Sequence, residues 1–355
     1  MGLLGLSGCG SPSSASVEMS SQTELVKTGS MELQYAENFA VDYYEDGYKM
    51  LTTLPDSKRY LIVPEGQPVP RGLDEDVSIL QEPLQNIYLV ASGAMDMFAS
   101  LDAVDQIRFS GQKQENWYIQ TAKDAMAAGD MIYAGKYSKP DYELLVSEGC
   151  DLAIENRMIT HSPEVVEMLQ SFDIPVMIEY SSYEQHPLGK VEWVKFFGAL
   201  TGKEAEAEEA FAEQTEILEK VESGEKTGKT IAFFYVTSNG LIQVRQSTDY
   251  IPKLIELAGG RYIFEDLEDS GSGRSTLNMQ VEDFYAGAKD ADILIYNSSI
   301  DGGVTTLDEL IGKCNILKDF KALQEGQVYC TTNDMYQQSM AIGYLSLIHI
   351  SEPTR

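Results

Sequence analysis

Short apolar runs alternate with stretches of helical spacing through most of the chain. Short apolar runs predict strands, and apolar residues three to four positions apart predict helices. In the first half the predicted strands are 86–91, 131–133, 151–154 and 174–178, and the predicted helices are 96–101, 122–128, 141–148 and 163–172. Because strands that alternate with helices form parallel sheets covered by helices, this half predicts an α/β lobe.

The pattern begins with a hairpin and restarts after Gly228. Two β-rich runs, 39–44 and 48–54, flank Asp46-Gly47, a frequent hairpin turn, and another strand is predicted at 59–63. Beyond Gly228 the predicted strands are 230–236, 293–296 and 328–330, and the predicted helices are 250–258, 281–288 and 307–311. The second half therefore predicts another α/β lobe of the same kind.

Two consecutive helices are predicted between the halves. Residues 190–201 are amphipathic, and Gly202 is placed to end that helix. Residues 203–223 combine many glutamates with apolar positions such as Phe211 and Leu218. A helix of this length spans roughly 30 Å, and its pattern predicts a rod that is exposed on one side and bridges two bodies. The predicted organisation is a first lobe at 31–202, an interlobe helix at 203–223 and a second lobe at 224–344.

The composition excludes several classes of protein. The 355 residues include 56 acidic and 26 basic side chains, a formal charge of −30, and only 4 cysteines. This length predicts two domains with cores of their own, which excludes a disulfide-stabilised miniprotein. Because no run of about 18 uncharged apolar residues occurs, a polytopic membrane protein is excluded too. The strong acidity repels phosphate backbones, so a nucleic-acid partner is not expected.

The familiar sequence motifs of catalytic sites are missing. Residues 224–230 resemble a nucleotide-binding loop, but they have one residue too few between the glycines and precede a strand, so we interpret them as a linker. No Gly-x-Ser-x-Gly, His-Glu-x-x-His or Cys-x-x-Cys motif occurs. We therefore expect a protein that is not an enzyme and has no cofactor. An extracytoplasmic α/β enzyme acting between the lobes is the alternative.

Both ends of the chain differ from its body. Leu6-Ser7-Gly8-Cys9 resembles a bacterial lipobox, whose cysteine is lipidated, and a Ser-, Pro- and Gly-rich linker at 10–30 follows it. Residues 1–9 are shorter than a complete export signal, so we interpret them as a truncated one. This end predicts a lipid-anchored protein on the extracytoplasmic face of the cell membrane. Residues 346–355 resemble a translated sequencing adapter, so 345–355 are left out of the fold prediction.

The cysteines and histidines of the body give no clear metal site. Cys150, Cys314 and Cys330 have apolar neighbours and are expected to be small buried side chains, with a Cys314–Cys330 disulfide as the alternative. His161 and His186 each lie beside a proline segment, where single histidines usually only form hydrogen bonds. We expect no metal ligand, and ligation by either histidine is the alternative.

One sequence pattern occurs twice, once in each half of the chain. Residues 139–145, Lys-Pro-Asp-Tyr-Glu143-Leu-Leu, precede Asp151-Leu-Ala-Ile154, and Met279-Gln-Val-Glu282-Asp-Phe precedes Asp290-Ala-Asp-Ile-Leu-Ile295. With the first strand and loop at 86–111, these strings resemble the periplasmic-binding-protein superfamily of iron-siderophore, haem and cobalamin importers. The resemblance covers about residues 39–338. It implies two Rossmann-like lobes on a helical backbone, a monomer, and an ABC importer as partner, with Glu143 and Glu282 meeting arginines of its permease.

The resemblance also implies a ligand between the lobes, where the carboxyl ends of the strands meet. The candidate contacts by position are Ser92, Met95, Tyr137, Asn156, Arg157, Tyr180, Tyr183, Tyr235, Arg245 and Asn297. Tyrosine and arginine suit a planar, anionic, oxygen-rich iron chelate such as a ferric siderophore. A haem carrier, with Met95 or His186 as axial ligand, and a cobalamin carrier remain alternatives. Zinc and manganese importers need more histidines than this chain has.

Overall fold

The fold is that of a computed structural model, which describes residues 25–224, 226–268, 275–300, 303–332 and 334–340, and the backbone of 347–349. Cys9 and the lipobox lie outside the described residues. Within the described part of the chain, no helix is both long and apolar enough to cross a membrane.

The chain begins with a five-stranded sheet in which each strand pairs with the next. All neighbours are antiparallel except the last two, which are parallel. The predicted hairpin is confirmed as its second and third strands, whereas the first and last strands were not predicted. The first strand lies at the end of segment 10–30, which was expected to be a linker, and it is ordered by pairing with the second strand. The strands are β1 (Lys27–Ser30), β2 (Phe39–Tyr44), β3 (Lys49–Thr53), β4 (Lys58–Val63) and β5 (Val77–Gln81).

A parallel sheet of five strands follows, in the order β12-β11-β6-β7-β8. The alternating pattern predicted it correctly, except that β7 was missed because its four residues include Arg108 and Ser110. In chain order the elements are β6 (Ile87–Leu89), α1 (Ala94–Ser100), β7 (Ile107–Ser110), α2 (Gln120–Ala128), β8 (Ile132–Tyr133), the small hairpin β9 (Gly135–Lys136) and β10 (Lys139–Pro140), α3 (Tyr142–Ser147), β11 (Leu152–Asn156), α4 (Pro163–Ser171) and β12 (Val176–Glu179).

Two helices then form a tight hairpin, α5 (Pro187–Thr201) and α6 (Glu204–Glu222). Gly202 ends α5 in the left-handed conformation at φ 73°, as its position predicted. A Cβ atom at Gly198 would lie only 2.6 Å from Cβ of Ala207, so the two helices are as close as glycine permits. Helix α6 buries Ala207, Phe211 and Leu218 and exposes its glutamates, as predicted for a rod exposed on one side.

The prediction that α5 is amphipathic was wrong. From Pro187 to Leu200 every residue except Lys190 is buried, including Glu192 and Lys195. A helix that is packed on all sides lies inside the protein rather than on its surface. It packs against α1, α6, β2 and β3, which cover the sides that the charged residues were expected to expose.

Two buried carboxylates, one within α5 and one just before it, are compensated by hydrogen bonds. Glu192, which has no exposed surface, accepts the backbone N–H groups of residues 34–36, and Glu184 accepts those of residues 37 and 38, all at 2.8–3.0 Å. Glu184 also accepts the indole N–H of Trp193 at 2.9 Å. These bonds replace the water that the carboxylates lose on burial, and they attach the segment before β2 to α5.

The second lobe is built on a mixed sheet. Strands β13, β15, β17 and β18 are parallel, but β14, β16 and β19 pair antiparallel with their neighbours. It therefore differs from the all-parallel sheet of the first lobe, and β14, β15 and β16 were not predicted. Strand β19 lies within residues 345–355, which were left out of the fold prediction. The elements are β13 (Thr230–Val236), β14 (Ile242–Arg245), α7 (Tyr250–Leu257), β15 (Arg261–Tyr262), β16 (Thr276–Met279), α8 (Val281–Ala288), β17 (Ile293–Tyr296), α9 (Leu307–Lys313), α10 (Lys321–Gln324), β18 (Val328–Thr331) and β19 (Leu347–His349).

Separate apolar cores stabilise the two lobes. The largest extends from the N-terminal sheet through α1, α5 and α6 to one face of the parallel sheet, and another covers the opposite face of that sheet. The second lobe has a core on each face of its own sheet. Helix α6 contacts α1 in the first lobe and α7 in the second. The structure thus has two α/β lobes bridged by the predicted helix.

Candidate ligand-binding cleft

The two lobes face each other across adjoining grooves. One groove, of about 310 Å³, lies between Tyr35, Glu37, Gln185 and His186 of the first lobe and residues 247–249 and Lys253 of the second. A neighbouring groove of about 200 Å³ lies between residues 182–185 and Thr248, Asp249 and Ser275. Both grooves follow the segment after β12, at the carboxyl edge of the parallel sheet, where α/β folds bind ligands.

Three of the predicted contacts come together after β11 and β12. The Arg157 guanidinium lies over the ring of Tyr183, 4.6 Å from its centroid, and Tyr183 is in edge contact with Tyr180 at 6.4 Å. Asn156 accepts the backbone N–H of Met158 at 2.8 Å and so begins the short helical turn that carries Arg157. Tyr183 is 38% exposed, so the stacked pair of Arg157 and Tyr183 lies at the edge of the cleft. Tyr180 is only 6% exposed and belongs to the main core, so its prediction as a ligand contact is not supported by its position.

The other first-lobe candidates lie in different surroundings. Ser92 is half-buried in the loop between β6 and α1. Met95 has no exposed surface and belongs to the main core, so it does not line the cleft. Tyr137 is half-buried in the hairpin of β9 and β10 and packs against the core under α3 and α4. Ser92 therefore remains a predicted contact in the loop after β6, whereas sequence position did not show that the Met95 side chain is enclosed by the core.

In the second lobe, Arg245 and Asn297 lie at strand ends and Tyr235 lies within a strand. Arg245 donates to Asp249 at 3.3 Å, and Asp249 in turn begins α7 by accepting the N–H of Ile251 at 2.9 Å. Asn297 is buried and accepts from the hydroxyl of Ser299 at 2.6 Å. The ring of Tyr235 lies 6.1 Å from that of Tyr296 and packs against the core.

Lys190 interacts electrostatically with carboxylates of both lobes. Burial raises the pKa of Asp96, Glu179 and Asp249, and the positive charge of Lys190 opposes that rise in all three. Asp96 lies on α1 and Glu179 at the end of β12, whereas Asp249 belongs to the second lobe. The Lys190 ammonium also lies 5.0 Å from the ring centroid of Tyr250. One cation therefore stabilises carboxylates from both sides of the lobe boundary.

A second connection between the lobes is the C-terminal strap, residues 334–340. Gln337 has no exposed surface, and its side chain accepts the N–H of Tyr118 and donates to the carbonyl of Asn116, both at 2.8 Å. The N–H of Met340 donates to Asp96 at 2.8 Å. The strap follows β18 of the second lobe and is hydrogen-bonded to α1 and to the loop after β7 of the first lobe, so it links the two lobes.

Several exposed apolar side chains at strand ends were missed in the sequence. Each ends or follows a parallel strand: Tyr118 (47% exposed), Tyr133 (40%), Met158 (50%), Ile300 (51%) and Tyr336 (39%). Three of them end or follow strands of the first-lobe sheet and two follow strands of the second-lobe sheet, and exposed apolar side chains that lie together commonly mark a binding surface. The only available signal was their place shortly after predicted strands, and sequence does not distinguish such a residue from one that turns into the core.

The predicted docking glutamates occupy equivalent local positions. Glu143 lies in the first turn of α3 and Glu282 in the first turn of α8, and both are exposed. Each helix follows a short strand, β10 or β16, and precedes a parallel strand, β11 or β17. A carboxylate in the first turn of a helix is favoured by the helix dipole.

His186 makes local contacts, His161 is exposed, and the three cysteines of the body are buried. His186 accepts the N–H of Leu188 through Nδ1 at 3.1 Å, and its ring stacks on Tyr35 at 4.5 Å, whereas His161 ends an exposed turn. The alternative of a Cys314–Cys330 disulfide is wrong, because both thiols are free and buried, as is that of Cys150. Burial raises the pKa of the Cys150 thiol to about 12. Among the residues that the structure describes, no group of three potential metal ligands comes together.

Comparison with known proteins identifies relatives and a shared fold. No protein-family model matches the chain. Two uncharacterized lipoproteins of Methanocaldococcus jannaschii are similar in sequence. One is 24% identical over 336 residues, which covers 86% of this chain and 77% of the relative. The other is 25% identical over 323 residues, which covers 87% of this chain and 79% of the relative.

Solved structures of substrate-binding proteins have the same fold. The periplasmic haem-binding protein HutB of Vibrio cholerae superimposes with a TM-score of 0.57 at 14% identity, covering 72% of this chain and 95% of that protein. The petrobactin-binding protein YclQ of Bacillus subtilis has a TM-score of 0.57 at 14% identity, covering 74% and 90%. A ferric hydroxamate transport protein of Saccharomonospora viridis also reaches 0.57 at 15% identity, covering 74% and 91%. The resemblance seen in the sequence is thus confirmed at the level of the fold, which is the two-lobe fold of periplasmic binding proteins for iron chelates and haem.

Proposed function

We propose that this protein captures a ferric siderophore or a similar metal chelate outside the cell and delivers it to an ABC importer. The observation that carries the proposal is the carboxyl edge of the parallel sheet, where Arg157 lies over the ring of Tyr183 and Tyr183 lines a groove opposite Thr248, Asp249 and Ser275 of the second lobe. Exposed aromatic side chains continue this edge at Tyr118 and Tyr133. Aromatic faces and a guanidinium bind the flat, oxygen-rich surface of a chelate by stacking and hydrogen bonding.

The alternatives within the same fold differ in their need for an axial ligand. A haem carrier was expected to use Met95 or His186, but Met95 is in the core and His186 uses Nδ1 to begin α5. With Nδ1 accepting a hydrogen bond, the neutral ring carries its proton on Nε2, which is then not a metal ligand. A siderophore or cobalamin needs no such ligand from the protein, so these cargoes fit this cleft better than haem.

The cellular setting follows from the relatives and the sequence. Both Methanocaldococcus relatives are named lipoproteins, and lipidation of Cys9 would hold this chain at the extracytoplasmic membrane face beside a permease. In this arrangement the exposed Glu143 and Glu282 are the contacts with basic sockets of the permease. Complementary charges speed and orient such an encounter more than they tighten it.

Ligand titration tests the proposal directly. Ferric siderophores, cobalamin and haem are titrated into the full chain, and binding is followed by calorimetry together with a search for chemical change of the ligand. We expect saturable binding of at least one chelate and no turnover. Replacing Arg157 by Ala should weaken that binding, whereas replacing the exposed Lys226 of the linker by Ala should not. The absence of binding by every chelate, or the appearance of a product, would contradict a carrier function.

A further inference from the structure

Lys190 forms a direct contact between the two lobes. From Pro187 to Leu200 it is the one residue of α5 that is not buried. Its ammonium lies 5.0 Å from the centroid of the Tyr250 ring, in the first turn of α7 in the second lobe. Helices α5 and α7 contact each other, so the pair lies where the lobes meet. Because the face of an aromatic ring attracts a cation, this contact draws the lobes together.

Three carboxylates around Lys190 are positioned by bonds that do not involve it. Asp96 of α1, Glu179 at the end of β12 and Asp249 before α7 each accept a backbone N–H, at 2.8, 2.7 and 2.9 Å respectively. All three interact electrostatically with Lys190. Since backbone donors fix their positions, these carboxylates would remain at the lobe boundary if the charge of Lys190 were removed.

The charges at this boundary depend on Lys190 for their balance. Arg245 offsets Asp249 from within the second lobe, at 3.3 Å, whereas Glu184 adds a further negative charge beside Glu179 in the first lobe. Without the ammonium of Lys190, the first-lobe carboxylates would face Asp249 across the boundary with less positive charge between them. Like charges repel strongly where burial reduces screening by water. Loss of Lys190 should therefore remove an attraction between the lobes and add a repulsion.

Asp249 connects this contact with the candidate cleft. It lines both interlobe grooves, opposite residues 182–186 of the first lobe. Lys253, a cation that lines the larger groove, is paired with Glu256 of its own helix at 2.8 Å. The separation of Asp249 from the first lobe sets the width of the grooves, so a charge that draws this part of the second lobe towards α5 also shapes the cleft.

We propose that Lys190 is an interlobe clasp, in which its ammonium holds the Tyr250 ring and the adjoining Asp249 and thereby sets the separation of the lobes. The clasp is a conformational device of the fold. Its effect on ligand affinity rests on the proposed carrier function, but its effect on lobe separation does not. Lys190 is thus a positioning residue, because it acts on a ligand through the arrangement of the two lobes.

A distance between the lobes tests the clasp without any ligand. Spin labels are attached to Ser171→Cys in α4 and Ala286→Cys in α8, two exposed positions, in a Cys9→Ser background. The three cysteines of the body are buried and do not compete for the label. Distances are measured by double electron–electron resonance. We expect Lys190→Met, which keeps the side-chain length and removes the charge, to give a longer mean distance and a broader distribution than the natural residue.

Two further variants separate the clasp from a general effect of lost charge. Lys190→Arg should retain the natural distribution, because a guanidinium keeps the charge and stacks on aromatic faces. Lys220→Met should retain it too, since Lys220 is exposed on α6 and pairs with Glu216 of the same helix at 2.8 Å. An unchanged distribution in Lys190→Met, or an equal change in Lys220→Met, would overturn the clasp.

The role of the Tyr250 ring is tested by combining substitutions. Tyr250→Leu alone should also lengthen the mean distance, because the ring that the cation contacts is lost. Once Lys190→Met is present, adding Tyr250→Leu should change the distribution little further, as expected for two residues that act through one contact. Fully additive changes would show that the two side chains act independently and would overturn their pairing.

Ligand titration links the clasp to the cleft. For a chelate that binds the natural protein, we expect affinity in Lys190→Met to fall about three- to tenfold, because fewer molecules hold the lobes at the binding separation. Lys190→Arg should restore most of the affinity. Unchanged affinity in Lys190→Met despite wider lobes would overturn the role of the clasp in binding. If no chelate binds the natural protein, the carrier function is contradicted, while the distance measurement still decides whether the clasp exists.

Discussion

At the scale of single residues, the buried carboxylates of this protein differ in whether they accept hydrogen bonds. Glu184 and Glu192 are surrounded by backbone N–H donors. Glu155, in β11, has no exposed surface, and neither of its carboxylate oxygens has a hydrogen-bond partner among the described residues. Burial raises the pKa of Glu155 to about 8. The difference follows from position, since the segment 34–38 ends beside α5, whereas the described residues on the sheet face under α3 and α4 donate no hydrogen bond to Glu155.

The stability of the protein should depend on pH through Glu155. Its folded pKa lies above the value of 4.5 for an ordinary glutamate, so the folded state holds a proton that the unfolded chain releases between pH 4.5 and about 8. The free energy of unfolding is therefore unaffected by the ionisation of Glu155 below pH 4.5. It falls as the pH rises from 4.5 towards 8, by at most roughly 1.4 kcal/mol per pH unit. Glu155→Gln cannot ionise, so its urea midpoint should fall less between pH 5 and 7.5 than that of the natural protein.

The control for this prediction is Glu167→Gln, at an exposed position of α4. It should retain the pH dependence of the natural protein, because an exposed carboxylate titrates almost equally in the folded and unfolded states. Parallel pH profiles of the natural protein and Glu155→Gln would show that Glu155 does not hold its proton.

At the scale of elements, the hairpin of α5 and α6 is the central support of the molecule. Helix α5 is enclosed by both helices and strands, and α6 covers it from outside while reaching α7 of the second lobe. The close approach requires glycine at position 198, where the helices meet. Lys195 of α5 lies 3.0 Å from Glu208 of α6, so an ion pair also joins the two helices. A hairpin packed this closely is a stiff support for both lobes.

Adding one methyl group at this contact should destabilise the protein. In Gly198→Ala the new Cβ atom would lie 2.6 Å from Cβ of Ala207 and 3.0 Å from the carbonyl of Lys203, so the helices must separate. We expect the free energy of unfolding in urea to fall by about 1–3 kcal/mol, as for other overpacked cores. Gly312→Ala in α9 is the matched control, because a Cβ atom there would meet nothing within 4 Å.

The control should stabilise the protein by roughly 0.4–1 kcal/mol, since alanine loses less backbone freedom on folding than glycine. A Gly198→Ala variant that is as stable as Gly312→Ala would mean that α5 and α6 can separate without cost. The interpretation of the hairpin as a stiff support would then be wrong.

At the scale of the whole molecule, the two lobes are connected by α6 and by the C-terminal strap. Both connections carry specific contacts, and Lys190 adds charge interactions with carboxylates of both lobes. Such a molecule should close over a ligand by a small movement, unlike binding proteins whose lobes are joined by flexible strands. The relative positions of Glu143 and Glu282 should then change little on binding, as suits two contacts with one rigid partner.

Removing both docking glutamates should uncouple capture from delivery. In a Glu143→Ala/Glu282→Ala variant we expect chelate uptake by cells that depend on this protein to fall at least tenfold, because charges that orient the encounter with the permease are lost. Chelate affinity measured on the purified variant should be unchanged. Glu213→Ala/Glu219→Ala, which removes two exposed glutamates of α6, provides the control for lost charge. Normal uptake in the docking variant would show that these residues do not contact the permease.

The order and type of most elements were determined by the sequence itself, because hydrophobic periodicity and glycine placement act locally. The parallel strands β11 and β12, the bridging helix α6 and the stop at Gly202 were all predicted from patterns within a few residues. Short polar strands such as β7 were missed, because their pairing depends on partners distant in sequence. The strings around Glu143 and Glu282 also sufficed to indicate the fold.

Only the tertiary structure decided which side chains belong to the cleft. Sequence position predicted both Met95 and Arg157 as contacts, but Met95 is enclosed by the core and Arg157 lies over Tyr183. The burial of Glu192, Lys195 and Glu155 and the crossing of Gln337 to the first lobe were equally invisible in the pattern. The physical reason is that burial and hydrogen bonding of a side chain depend on segments brought from far along the chain, whereas periodicity reports only which local face is apolar.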